Sequence, residues 1–127
     1  MIIRHKANVE GSAQDASGPG WSSLRMLTRS DGMGFSLNET VCKAGATLDL
    51  HYKNHLEACY CLSGSGTITD LATGQSHHIG PGTLYALDKH DRHRVKVDDT
   101  ADMILISVFN PALTGDEVHG PDGSYSA

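Results

Sequence analysis

From Gly45 to Gly64 the chain reads Gly-Ala-Thr-Leu-Asp-Leu-His51-Tyr52-Lys53-Asn54-His55-Leu56-Glu57-Ala-Cys59-Tyr-Cys61-Leu-Ser-Gly. Imidazole, phenol and carboxylate thus fall within a few residues of one another. Metal sites of the nitrogen–oxygen type draw on this mix, and so do sites that move protons. The thiols point elsewhere. The chain has 3 cysteines, Cys42, Cys59 and Cys61; they cannot all pair, and they form neither a CxxC nor a CxxCH spacing. They read as reduced thiols in strands that serve core packing rather than chemistry.

The elements that must position these groups are short. Apolar runs at Trp21 to Thr28, Phe35 to Cys42, Thr47 to Tyr52, Glu57 to Leu62, Thr67 to Leu71, Ser76 to Ile79, Thr83 to Leu87, His93 to Val97 and Met103 to Asn110 are fenced by turn residues such as Ser63-Gly-Ser-Gly, Ala72-Thr-Gly and Gly80-Pro-Gly. Many short strands with almost no helical period predict an antiparallel barrel or sandwich. Met1 to Arg4 is a candidate first strand, and Glu10 to Gly20, rich in Gly, Ser, Ala and Asp, reads as a mobile loop. With 127 residues, 39% hydrophobic, the chain is expected to form one domain, residues 1–127, with a core that needs no disulfides. The barrel is expected over about 1–110. The polar tail, about 111–127, is expected to lie over it as a lid. A formal charge of −5 with no basic run argues against nucleic acid and membrane surfaces as partners. The absence of a long apolar segment or secretory signal makes the expected location cytoplasmic.

The opening stretch resembles the first signature of the cupin superfamily. Gly45, His51, Glu57 and Gly64 stand in register, and Lys53 takes the slot of the second histidine. A second cupin signature matches Gly82 and His93, with Asp88, His90 and Val97 in its remaining slots. Cupins are all-β jelly-roll barrels whose inward side chains bind a metal, so the resemblance leaves Glu57 and His93 as candidate ligands. Two side chains rarely hold a divalent ion against water. Tyr85, in the strand before His93, is the candidate third: an oxygen-rich set that leaves positions open. Iron (Fe2+) is favoured, with zinc and manganese as alternatives.

The wider sequence resembles the ectoine synthase family. The resemblance is carried by Trp21-Ser-Ser-Leu-Arg25, Asp31-Gly-Met-Gly-Phe-Ser, His51-Tyr-Lys-Asn-His-Leu-Glu-Ala, Leu84-Tyr-Ala-Leu-Asp-Lys-His-Asp-Arg-His93, Phe109-Asn-Pro-Ala-Leu-Thr-Gly-Asp-Glu-Val-His119 and Asp122-Gly-Ser-Tyr125. It implies an iron-dependent cytosolic homodimer that closes N-gamma-acetyl-L-2,4-diaminobutyrate to the cyclic amidine ectoine and expels water. By position, the family's metal ligands fall on Glu57, Tyr85 and His93. Its substrate pocket falls on Trp21, Arg25, Asn38, Thr40, Tyr52, Phe109, Glu117 and His119, with His55 a neighbour of the metal shell. Arg25 with Asn38 and Thr40 is expected to hold the carboxylate end, Trp21 and Phe109 to wall the chain, and Tyr52, Glu117, His119 and His55 to serve the chemistry. Ser107 stands where family members usually carry a cysteine.

Residue types alone give plainer roles to several of these. Tyr85 is more often half-buried packing, and a single tryptophan such as Trp21 is more often core. His5, His77, His78 and His90 read as solvated. Strand alternation separates Tyr52 from Glu57 unless the chain bends near Asn54. Two other functions are compatible with the motifs: a metal-dependent cupin of different chemistry, and a cupin that binds a small ligand without turning it over.

Overall fold

The computed structural model describes residues 1–126. After a single helical turn, α1 (Lys6–Val9), come β1 (Asp15–Gly18), β2 (Trp21–Leu27), β3 (Ser36–Cys42), β4 (Thr47–Leu50), β5 (Leu56–Ser63), β6 (Gly66–Asp70), β7 (Ser76–Ile79), β8 (Leu84–Leu87), β9 (His93–Val97) and β10 (Met103–Asn110). They make a six-stranded sheet, β1-β2-β3-β10-β5-β8, and a four-stranded one, β4-β9-β6-β7. The antiparallel pairs β6·β7, β5·β8, β4·β9 and β3·β10 are nested around the single turn that joins β6 to β7. A long two-layer ribbon folded at that turn and rolled on itself is a jelly roll, which leaves few free edges. The expected all-β barrel is therefore found. No helix among the described residues is long and apolar enough to cross a membrane.

Alternation along the strands decides what faces inward. In β10, Met103, Leu105, Ser107 and Phe109 are buried while Ile104, Ile106 and Val108 turn to the outer face. The interior divides along its length. One end is aliphatic and thiol, built from Cys42, Cys59, Cys61, Ile79, Val97, Met103 and their neighbours. The other is aromatic: Tyr52, Phe109, Leu113 and Tyr125. Each fully buried Val, Leu or Phe contributes about 1.5–3 kcal/mol by leaving water, and all three thiols are buried and unpaired.

Two sequence expectations are corrected. Met1 to Arg4 forms no strand; Arg4 instead ties this segment down by bonding the Met26 carbonyl (2.6 Å) and Asp31 (2.9 and 3.0 Å). The stretch Glu10 to Gly20 contains β1, paired with β2 from Asp15↔Leu24 to Gly18↔Trp21. Its composition hides the strand because only Ala16 is buried, and because Gly18 is the seat of the Trp21 indole. A Cβ on Gly18 would lie 2.7 Å from the ring nitrogen. The tail also differs from a wholly polar cover, since Ala112, Leu113, Ser124 and Tyr125 are buried. It is held against the end of β4 and the chain beyond by His51 N–H to the Gly123 carbonyl (2.9 Å), Lys53 N–H to Ser124 Oγ (3.2 Å) and Asn54 Nδ2 to the Tyr125 carbonyl (2.9 Å).

Candidate active site

Inward positions of β2, β3, β5, β8, β9 and β10, closed by the tail, surround a small cavity of about 30 Å³. Trp21, Asn38, Thr40, Tyr52, Glu57, Tyr85, Phe109 and His119 line it, all expected site residues, as does Ser107, noted from sequence as a departure from the family; Ser23, Cys59 and Tyr125, which had no site role, line it too. The missed residues share a signal. Each of the two in strands lies two positions from an expected site residue and so faces the same way: Ser23 between Trp21 and Arg25, Cys59 after Glu57. Ser107 Oγ donates to Thr40 Oγ1 (3.3 Å) and lies 3.5 Å from Cys59 Sγ, and Thr40 Oγ1 donates to Ser23 Oγ (3.4 Å). A row of small polar groups thus crosses four adjacent strands.

Tyr52 shares the cavity with Glu57 because β4 ends at Leu50 and the chain bends through Lys53-Asn54 before β5 begins. The bend is pinned from outside. His90 has φ 54, the one left-handed non-glycine residue among those described, and its Nδ1 lies 2.8 Å from the Tyr52 carbonyl oxygen. This is the slot that the second cupin signature gives to glycine, which explains why glycine suits it. His90 is exposed in a loop, as expected, and its ring also braces the bend at Tyr52.

Of the three expected metal ligands, Glu57 and Tyr85 line the cavity, while His93 lies beside it in a cleft shared with Tyr85, its ring 6.0 Å from that of Tyr52. Glu57 is 7% exposed and forms no ion pair among the described residues; burial pushes its carboxyl up to about 7. His93 is buried, and burial pulls its pKa down. Its Nδ1 is 2.8 Å from the Asp91 carbonyl, so Nδ1 carries the proton and Nε2, buried with no partner, presents a lone pair. A ring held in this way is the arrangement typical of metal-binding histidine. Tyr85 is half-buried, beside Cys59 and Glu57, and burial raises its phenol well above the ordinary range. No group of three His, Cys, Asp or Glu side chains able to hold a metal occurs among the described residues. Glu57, Tyr85 and His93 carry carboxylate, phenol and imidazole, donors of the oxygen–nitrogen type.

Toward the tail, Tyr52 Oη and His119 Nε2 are 2.7 Å apart. Burial, and then the charge of Arg25, depress His119 to about 4, while burial raises Tyr52. At neutral pH the pair is a phenol donating to a neutral imidazole. Four expected site residues do not line the cavity: His93, which lines a neighbouring cleft with Tyr85, Leu87 and Asp91, and three others. Arg25 lies one side chain behind the cavity wall, bonded to Ser23 Oγ, the Gly115 carbonyl and Tyr125 Oη. His55 is buried against Phe109 and Tyr125 with Nδ1 unpaired. Glu117 caps the backbone N–H groups of Thr114 (2.7 Å) and Gly115 (2.8 Å). Burial alone would raise its pKa, but those bonds outweigh burial and lower it.

A rolled ribbon of nested strand pairs with polar side chains meeting inside it is the architecture of the cupins, and the Cupin_2 domain of an XRE family transcriptional regulator from Enterobacter cloacae has this fold at a TM-score of 0.60, 12% identity, over 72% of this chain and 96% of that one. Within that class a family model described as ectoine synthase matches residues 1–127, and the chain belongs to this family. It is 50% identical to the L-ectoine synthase of Hyphomonas neptunium over 127 residues, 100% of this chain and 94% of that protein. The crystal structure of ectoine synthase from P. lautus superposes at a TM-score of 0.84 with 43% identity, covering 91% of this chain and 81% of that one.

Proposed function

We propose that this chain is an ectoine synthase: a hydro-lyase that closes N-gamma-acetyl-L-2,4-diaminobutyrate to ectoine with loss of water. The carrying observation is identity near one half over the full length to curated L-ectoine synthases. In the reaction the α-amine nitrogen forms a bond to the acetamide carbonyl carbon, and that carbon's bond to oxygen breaks as water leaves. An amide is a poor electrophile. A metal ion held by Glu57, Tyr85 and His93, which we take to be iron in its ferrous form, would supply charge stabilisation for the oxygen as it becomes anionic. Among the chain's own groups, Asn38 Oδ1 is a buried acceptor without a donor, suited to an N–H of the substrate. Trp21 and Phe109 wall the carbon chain, and Thr40 and Ser107 offer hydroxyls along one side. Such a frame folds a flexible chain so that amine and carbonyl meet. The Tyr52–His119 pair is positioned to take a proton from the amine and return one to the departing oxygen.

The cavity has room for no more than a water molecule or two, so in this reading the tail opens for substrate and closes after it. Its closure excludes water from a step that expels water. Glu117 in this reading organises the tail turn that carries His119, and His55 backs Phe109. We further infer a homodimer formed through the outer face of the six-stranded sheet, where Leu56, Tyr60, Leu62 and Leu84 are 38–64% exposed, an apolar surface that a second copy would cover. The cytoplasm is the natural compartment for a charged amino-acid derivative. The reaction itself is tested by incubating purified protein with ferrous iron and the acetylated diaminobutyrate under nitrogen. Ectoine should accumulate, and its absence would favour a cupin that binds without turning over.

A further inference from the structure

Arg25 is 1% exposed, yet no carboxylate lies within 4.0 Å of its guanidinium among the described residues. Its partners are neutral: Ser23 Oγ at 3.0 Å, the Gly115 carbonyl at 3.1 Å and Tyr125 Oη at 3.1 Å. A cation taken out of water without an anion is costly. The Tyr125 phenol does not supply one, since burial pushes it up to about 12. Its ring stacks on His119 (centroids 4.5 Å apart, 16° between planes), tilts against Tyr52 (5.1 Å) and lies 5.6 Å from the Arg25 guanidinium carbon. This ring also forms part of the cavity wall, so it separates Arg25 from the space that the substrate must enter.

Something has to leave before an acyl diaminobutyrate fits into about 30 Å³. Ser23 is fixed in β2, two residues from Arg25, whereas Tyr125 belongs to the tail and touches Arg25 through one hydroxyl. We propose that Tyr125 is a built-in plug whose hydroxyl occupies the place of the substrate's carboxylate on Arg25, so that tail tip and substrate compete for one guanidinium. Resting on the cyclisation reading above, this makes Arg25 the carboxylate anchor only after Tyr125 has withdrawn. The swap replaces a neutral acceptor by a charged one, which strengthens the bond to the guanidinium and drives the tip outward. Tyr125 is a positioning residue: it sets how readily substrate enters without touching the reacting atoms.

Tyr125→Phe keeps the ring and its stacking and deletes the competing bond. KM for the acetylated diaminobutyrate should fall roughly fivefold, the scale of one net hydrogen bond, with kcat nearly unchanged. An unchanged or raised KM overturns the proposal, because the hydroxyl would then be irrelevant or would help to hold the ligand. A second measurement needs no turnover: amide hydrogen exchange of the metal-free wild type in sodium acetate against sodium chloride at equal ionic strength. Acetate should speed exchange at Ser124 and Tyr125, and should not do so in Arg25→Gln; equal exchange in the two salts refutes competition for Arg25. Failure of the wild type to make ectoine would sink the functional reading instead, leaving the acetate comparison to decide the plug.

Discussion

Glu57 is a carboxyl group sealed inside the barrel without a cation, and its replacement by glutamine separates two roles that coincide in the native side chain. Folding raises its pKa from 4.5 to about 7 by desolvation. A buried acid that holds its proton more tightly when folded is neutral in both states below about pH 4.5, so no penalty exists there. As pH rises toward 7 the unfolded chain loses the proton first, and the metal-free fold is progressively destabilised; above 7 the penalty is complete. At about 1.4 kcal/mol per pH unit it approaches 3 kcal/mol. Glu57→Gln abolishes this term. Stripped of metal with a chelator, the variant should match the wild type near pH 4 and exceed it at pH 8 by up to about 3 kcal/mol, roughly 10 °C in melting temperature for a chain of this size. Adding ferrous iron should reverse the order, since only the wild type keeps the carboxylate. Thermal and urea unfolding at the two pH values, with and without iron, measure both effects. A gap independent of pH, or a glutamine variant less stable at pH 8 without metal, would refute the view of Glu57 as an unpaired buried carboxylate.

Other consequences are equally specific. Tyr52→Phe and His119→Ala should each lower the cyclisation rate about a hundredfold while iron content, measured by elemental analysis, stays at the wild-type level; iron lost along with activity would make the pair structural. His90→Ala keeps the left-handed strain that histidine already bears and removes the bond to the Tyr52 carbonyl, costing about 1 kcal/mol in urea unfolding. His90→Gly should recover about half of that. Ending the chain after Thr114 removes the Tyr125 ring from the aromatic cluster, at about 3 kcal/mol by analogy with Phe→Ala, and should leave iron bound but ectoine formation at least a hundredfold slower. Light scattering should give a mass near twice 13.6 kDa, and Leu84→Glu on the outer sheet face should shift it toward the monomer.

What the sequence disclosed tracks how strongly local patterns constrain it. Strands from Trp21 to Asn110 announced themselves through alternation and glycine-bearing turns, and β7 spans Ser76–Ile79 as expected. β1 stayed hidden because an edge strand with one buried side chain needs no apolar pattern. In the site, motif spacing pointed to Glu57 and His93, and donor chemistry with the family resemblance added Tyr85, but the bond between Arg25 and Tyr125 joins residues 100 positions apart, and no local signal encodes it. The same holds for His90, whose role depends on a backbone angle and on a carbonyl 38 residues away. Leu113 and Tyr125 looked like parts of a polar tail because burial there comes from two isolated side chains rather than from a periodic run.

The nesting of strand pairs also sets an order of assembly during synthesis. β10 is the latest strand in sequence, yet it lies in the middle of the larger sheet, between β3 and β5. Until it emerges from the ribosome, β1-β2-β3 and β5-β8 are two unjoined fragments, each exposing a bare strand edge beside the apolar faces of Leu105 and Phe109's future neighbours. The innermost hairpin, β6·β7, can close early, but the pairing that unites the halves spans Ser36 to Phe109 and carries the loop-closure entropy of the whole roll. The nascent chain is thus at its most aggregation-prone just before β10 emerges, and substitutions that weaken β10 should reduce the yield of soluble protein well beyond their effect on the finished fold.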